Sequence, residues 1–417
     1  MRSKKQFCNL ISRTTVAALA IATVFALTVV LTQSAQAQTF TVLHNFTGGP
    51  DGATPQGPLT MDQAGNLYGT DSGGGRGFGT VYMLSKRGSN WIFNPLYAFA
   101  GGNDRGGPWA GVIMGPDGSL YGTTTDWETG PGTVFNLKPS ASACKTALCP
   151  WTETVLYRFT GGSDGSNPGG GHLIFDQAGN LYSVTLGGGA YGDGTVFELA
   201  PSQGGWTESV LHNFNWGDGY LPNSALVFDN VGNLYGTALL GGAYGNGTVF
   251  QLTPSGSGWT ENTLYSFQGG NDGAHPYPGV IFDQSGNLYG GAAAGGQFDG
   301  GTVFKLTPSG GGWTFSLVYS LTGDGGDCGP VGNFIMDGAG NLYGFTNYEG
   351  AYNEGTVFEL TPSGGGWTYT LLHDFNGSDG ASPNGGLIFD ENGNLYGVAN
   401  SGGAYGGASS SRSLSRN

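Results

Sequence analysis

The chain has 417 residues and a formal net charge of −15 at pH 7, with only 10% charged residues against 83 glycines and 13% aromatics. An acidic, sparsely charged surface excludes nucleic acid and anionic lipid as partners, since both are held by Lys and Arg that replace counterions. So much glycine without a collagen triplet means many tight turns, and no helix-period run follows the N-terminal segment, so the composition points to an all-β chain.

In chain order, Arg2, Lys4, Lys5 and Arg13 precede an apolar run from Val16 to Leu31 and then Ala35-Gln36-Ala37. A basic start, an apolar middle and a small-x-small end read as a secretory signal peptide over residues 1–37. Its alternative is an uncleaved anchor, for which the run is slightly short. Cleavage removes four positive charges and no negative ones, taking the formal charge from −15 to −19 and leaving no membrane span.

From there one phrase recurs. The tyrosine of Gly-Asn-Leu-Tyr, or its variant, stands at Tyr68, Tyr121, Tyr182, Tyr235, Tyr289, Tyr343 and Tyr396, in steps of 53, 61, 53, 54, 54 and 53 residues. Two more phrases keep the same beat. One is Gly-Thr-Val-Phe, ending at Phe135, Phe197, Phe250, Phe304 and Phe358; the other is Trp-Thr-x-x-x-Leu-Tyr-x-Phe, opening at Trp151, Trp206, Trp259, Trp313 and Trp367. A fixed period over the whole chain is the mark of a repeat architecture.

The unit beginning at Gly279 predicts four strands. Val280-Ile281-Phe282 is the first, and Asp283 to Asn287 is a hairpin whose glycine supplies positive φ. Leu288-Tyr289-Gly290, Thr302 to Thr307 and Trp313 to Tyr319 are the others. Four antiparallel strands in about 54 residues make one propeller blade, which cannot bury two apolar faces alone and must stack in a ring. Seven copies predict a seven-bladed β-propeller filling residues 38–417; an open solenoid, built of shorter coils, is the rival.

The segment from Thr39 to Phe46 matches the fourth strand, so it completes the last blade. In that blade the expected Thr-Val-Phe after Gly407 is replaced by Ala-Ser-Ser-Ser-Arg-Ser-Leu-Ser-Arg-Asn, which predicts that a regular third strand is missing. A shifted reading frame over Ser409 to Ser413 would restore Val-Phe-Glu-Ile, with natural truncation as the alternative; the gene sequence decides between them. The long unit carries Cys144 and Cys149, which in an exported protein predict a local disulfide, and Cys328 is left over.

Two loop motifs carry polar or aromatic content. Asp-Gly-x-x-Pro before the first strand supplies Asp51, Asp164, Asp218, Asp272 and Asp379, with Asp104 in a looser copy and Asp327 off register by one. The loop between second and third strands presents Tyr191, Tyr244, Phe298 and Tyr405, with Tyr352 and Phe78 in looser copies. Both sets fall on one face, where carboxylates beside aromatics suit a glycan, a peptide or protein ligand, or calcium. Ordinary turn chemistry also explains both, because they recur in nearly every unit. Departures from the repeat are Trp127 and Glu128, Trp216, and Asp324 with Asp327 and Cys328. His44, His212 and His373 occupy a repeat position; His172 and His275 are isolated. No linear catalytic motif is present, and no metal-ligand spacing.

Taken together, Gly-Thr-Val-Phe-x-Leu-Thr-Pro-Ser-Gly-Gly-Gly-Trp-Thr, Leu-Tyr-Ser-Phe and Leu-Ile-Phe-Asp-x-x-Gly-Asn-Leu-Tyr-Gly resemble the GloVer-type tandem repeat family of bacterial exported proteins, over about Thr39 to Gly407. The resemblance implies a propeller-like secreted or surface protein, often with a C-terminal sorting anchor that this chain lacks, and it brings no catalytic residues. The sequence thus predicts a monomeric secreted, extracellular or periplasmic, binding module without an obligatory cofactor. A propeller lyase or hydrolase and a purely structural surface protein are the alternatives.

Overall fold

The repeat phrases become strands at the expected places. In the unit that starts at Gly279 the strands are Ile281–Phe282, Leu288–Ala292, Asp299–Ser309 and Gly312–Thr322, antiparallel and paired in chain order. The computed structural model describes residues 39–88, 90–126, 130–139, 151–256, 258–323 and 326–405, and the backbone of 410–415. The expected signal peptide, Trp127, Glu128, Asp324 and the Cys144–Cys149 pair lie outside them. All described elements are strands, and among the described residues no helix is long and apolar enough to cross a membrane.

Six blades are each cut from one continuous stretch: 53–98, 113–158, 174–213, 220–266, 281–322 and 335–374. This corrects the predicted seven blades to six. The remaining sheet draws on both chain ends, in the order Thr39–Asn45, Ser410–Ser415, Leu395–Ser401 and Ala381–Phe389.

That sheet also corrects the expected gap in the tail. Ser410 to Leu414 stand opposite Ala399 to Leu395, as Thr195 to Leu199 stand opposite Thr185 to Leu181 in the third blade. Strand pairing uses backbone groups that every residue carries, and a gap between two strands would leave a row of donors and acceptors on both edges. The departure is therefore one of residue type: register gives Arg412 the position that Phe197 holds in the third blade.

Within a blade the turn chemistry is repeated closely. Asp229 Oδ1 accepts the backbone N–H of Val231 and Asn233, while its Oδ2 accepts from the Asn233 side chain at 2.6 Å and the Tyr235 hydroxyl at 3.0 Å. The same cage surrounds Asp62, Asp176, Asp337 and Asp390. A bulge between the Val and Phe of the third strand recurs in the third to sixth blades and increases strand twist.

The core lies between blades. Phe197, Leu199 and Leu181 of the third blade pack with Val134 of the second, and Phe250 and Leu252 of the fourth pack with Tyr182, Val184 and Val196 of the third. Each such fully buried Phe or Leu contributes about 1.5–3 kcal/mol. The closing sheet joins the circuit in the same way: Tyr396 and Val398 pack with Phe46, Leu59, Tyr82 and Leu84, and Trp91 meets Tyr396 edge-on at 5.9 Å.

Candidate functional site

One contact couples two of the sequence phrases. The glycine that opens Gly-Thr-Val-Phe lies under the proline of the next blade's entry loop: a Cβ on Gly194 would come within 2.6 Å of Pro222 and 2.5 Å of the Thr185 carbonyl. Gly132 and Gly247 are crowded by Pro168 and Pro276 in the same way. Just before the proline, the chain turns through the left-handed region at Thr54, Asn167, Leu221, His275 and Ser382, with φ between 49° and 59°. Non-glycine residues enter that region at a cost of roughly 1–2 kcal/mol. The cost is met by a bond to the preceding blade: Asn167 N–H donates to the Pro131 carbonyl, Leu221 to Asp193, His275 to Asn246 and Ser382 to Glu354.

This corner aims the residue after the proline at the ring axis. Gln56, Trp109, Gly169, Asn223, Tyr277, Val331 and Asn384 each follow a repeat proline, and all seven line one central cavity of about 570 Å³. Its wall mixes apolar surface with a few polar side chains. Asn384 donates to Gln56 Oε1 at 2.8 Å and Asn333 Oδ1 accepts the Gly279 N–H at 3.0 Å, and Asn223 and Asn347 also line the cavity. Trp109 and Tyr348 present rings that are 42% and 45% exposed.

Three titratable groups complete the site. His172 reaches the cavity because the third blade's entry loop, Pro168-Gly169-Gly170-Gly171-His172-Leu173, has one residue more than its counterpart Pro222-Asn223-Ser224-Ala225-Leu226. Burial pushes its imidazole down to about 4, so it is neutral at physiological pH. Asp327 also lines the cavity and bonds to His275 Nδ1 at the fifth and sixth blades; that bond, opposed by burial, holds the His275 imidazole above its ordinary value.

The expected carboxylate ring is placed elsewhere. Asp104 accepts from the Tyr97 hydroxyl and the Ala100 N–H, both at 2.9 Å. Asp164 accepts from Tyr157 at 3.1 Å and the Thr160 N–H at 2.8 Å, and Asp272 from Tyr265 and the Gln268 N–H, both at 2.8 Å. Asp218 takes the Asn215 N–H and amide, and Asp51 and Asp379 meet His44 at 3.3 Å and His373 at 2.9 Å. These aspartates tie each entry loop to the preceding fourth strand and none lines the cavity. The expected aromatics, Tyr191, Tyr244, Phe298, Tyr352 and Tyr405, stand between 49% and 66% exposed on neighbouring loops of the same face, while Phe78 packs inward. Loop adjacency is direct: Gly189 N–H donates to the Gly162 carbonyl at 2.8 Å and Gly242 to Trp216 at 2.8 Å.

The repeat profile named for Gloeobacter and Verrucomicrobia matches residues 22–172, 148–328 and 260–410, spanning the described blades. The chain belongs to the Gloeobacter/Verrucomicrobia repeat family. No curated protein matches it. Among solved structures, this family member is similar to an oxidoreductase of glucose dehydrogenase type from Thermus thermophilus, with 12% identity, TM-score 0.43, and 91% of this chain and 100% of the other covered. A protein from Dyadobacter fermentans aligns at 11% identity and TM-score 0.45, covering 91% and 99%. The β-propeller domain of the trilobed protease from Pyrococcus furiosus aligns at 9% identity and TM-score 0.46, covering 88% and 94%. Among the described residues of the repeat protein, no group of three or more His, Cys, Asp or Glu is placed to hold a metal ion.

What the sequence reasoning missed in this repeat protein is the cavity wall. The signal lay one position beyond the motif it chose: within a repeat this regular, the residue after the proline is Gln, Trp, Gly, Asn, Tyr, Val or Asn.

Proposed function

We propose that this protein is a secreted, bacterial propeller that binds a neutral, hydroxyl-rich ligand, a glycan, in its central cavity. The observation that carries the reading is the convergence of one variable residue per repeat on a single cavity. Asn223 and Asn347, which line the cavity, carry amides that pair donors with acceptors for hydroxyls, and the rings of Trp109 and Tyr348 supply apolar faces; pockets of this kind orient ligands with few polar groups. His172, neutral at physiological pH, adds a donor or acceptor without a charge to desolvate.

Secretion rests on the basic, apolar and small-residue order of residues 1–37. Closure of the ring is supported by the Tyr396 and Phe46 packing described above. The test is an array of neutral and acidic oligosaccharides probed with the full chain and with Asn347→Ala. Selective capture of neutral glycans, weakened at least tenfold in Asn347→Ala, is expected; silence on the array, or capture untouched by the substitution, overturns the reading.

A further inference from the structure

The fourth blade departs from the repeat at one loop corner. The Trp216 carbonyl accepts the Gly242 N–H at 2.8 Å, a bond that Gly49, Gly162, Gly270 and Gly377 accept in the first, third, fifth and closing sheets. A tryptophan thus stands where the repeat has glycine. The strand pair beside it breaks the pattern in the same direction. Tyr220 pairs with Leu240, whereas the matching pairs are Ala53 with Gly73, Ser166 with Gly187, Ala274 with Ala294 and Ala381 with Ser401. Four sheets close this corner with small side chains, so the fold does not require the large ones.

What the large ones build is a surface. The Trp216 ring is 54% exposed and lies 5.6 Å from the half-buried ring of Tyr220, tilted by 35°. Its outer edge passes over Gly245, where an added Cβ would stand 3.6 Å away. The patch begins at the cavity wall: Leu221 and Leu239, the chain neighbours of Tyr220 and Leu240, both line the cavity. An exposed indole face suits a sugar ring, which packs its C–H groups on the aromatic surface and keeps its hydroxyls in water. A cavity of about 570 Å³ is of the size that encloses a small molecule. A longer glycan must therefore leave it, and the fourth blade offers the departing chain an apolar floor.

We propose that the ligand is an extended linear glycan, with one end seated in the cavity and a following sugar stacked on Trp216, whose ring Tyr220 supports. This rests on the glycan reading of the cavity and adds chain length as the property that the protein selects. The cavity remains the anchoring site, and Trp216 acts only on chains long enough to reach it.

The experiment is calorimetric titration of the full chain with oligosaccharide ladders, dimers to octamers, of β-1,4-linked glucose, mannose and N-acetylglucosamine and of α-1,4-linked glucose. Trp216→Gly and Tyr220→Ala restore residue types that other sheets carry at these positions, so both variants are expected to melt as the wild type does. Tyr352→Ser, which removes a 61% exposed ring from the sixth blade, is the control. In the wild type and the control, affinity for one ladder is expected to rise about tenfold from dimer to octamer. In Trp216→Gly the rise is lost and in Tyr220→Ala it is reduced, with dimer affinity unchanged in both. A rise that survives Trp216→Gly, or a wild type indifferent to chain length, overturns the platform and leaves the cavity reading standing. Loss of dimer binding in Trp216→Gly also overturns it, since the indole would then belong to the anchoring site. No binding of any ladder overturns both readings.

Discussion

Two residues five positions apart in the same entry loop, Asp164 and Gly169 in the third blade or Asp218 and Asn223 in the fourth, have opposite fates. The aspartate recurs in almost every blade and spends its oxygens on the loop and the strand before it. The residue after the proline changes from blade to blade and faces the cavity. A position that the fold uses is held constant by the geometry of its bonds, and one that only faces a cavity is free to diversify. The glycine packed under the proline belongs with the first kind, because it fixes the corner that aims the second.

Substitutions that break this contrast differ in size. Gly194→Ala is the most damaging: its φ of 104° and the contacts of an added Cβ with Pro222 and Thr185 predict a loss of about 3 kcal/mol in chemical denaturation. Asp164→Ala strands the Tyr157 hydroxyl and the Thr160 N–H and hydroxyl, for about 2 kcal/mol, yet leaves glycan affinity at the cavity unchanged in the protein that remains folded.

Next in size is a pH effect of opposite sign at two kinds of carboxyl. In the hairpin cages, burial alone would raise Asp62 and Asp229, but the combined bonds from Asn, backbone N–H and Tyr hold them below their ordinary value. Their contribution is present above the ordinary aspartate range and lost as pH falls through the lowered values. Glu153 and Glu208 are pushed up to about 7, by burial first and then by Asp104 and Asp164. Their stability is complete below the ordinary glutamate range and lost as pH rises through 7. Thermal melting against pH therefore peaks at roughly pH 4–4.5 and falls from there to about pH 7, and Glu208→Gln flattens that fall by less than about 1 kcal/mol, as expected of a half-exposed group screened by solvent. A profile that stays level from about pH 4.5 to 7 would contradict this account of the raised glutamates. Smallest is Asn223→Ala, expected to change stability by less than about 0.5 kcal/mol while weakening glycan capture.

Much of the fold was legible because the repeat counted itself. The strand predicted at Trp313 to Tyr319 lies within Gly312–Thr322, and the hairpin at Asp283 forms with bonds from Ser285 and Asn287. The tail was misjudged because side-chain type was used to predict pairing, and Ser410–Ser415 pairs through its backbone. The cavity stayed hidden for a different reason: its wall takes one side chain from each unit, about 54 residues apart, and each looks ordinary in its own loop. His275 seemed isolated for the same reason, its partner Asp327 lying one blade further on.

The contrast between centre and rim is tested most directly by one comparison on the glycan array, Trp109→Ala against the rim variant carrying Tyr191→Ser, Tyr244→Ser, Tyr352→Ser and Tyr405→Ser, both checked for unchanged melting. Loss of neutral-glycan capture in Trp109→Ala with capture retained by the rim variant is the predicted result. Loss in the rim variant with Trp109→Ala unaffected would contradict the central-cavity site.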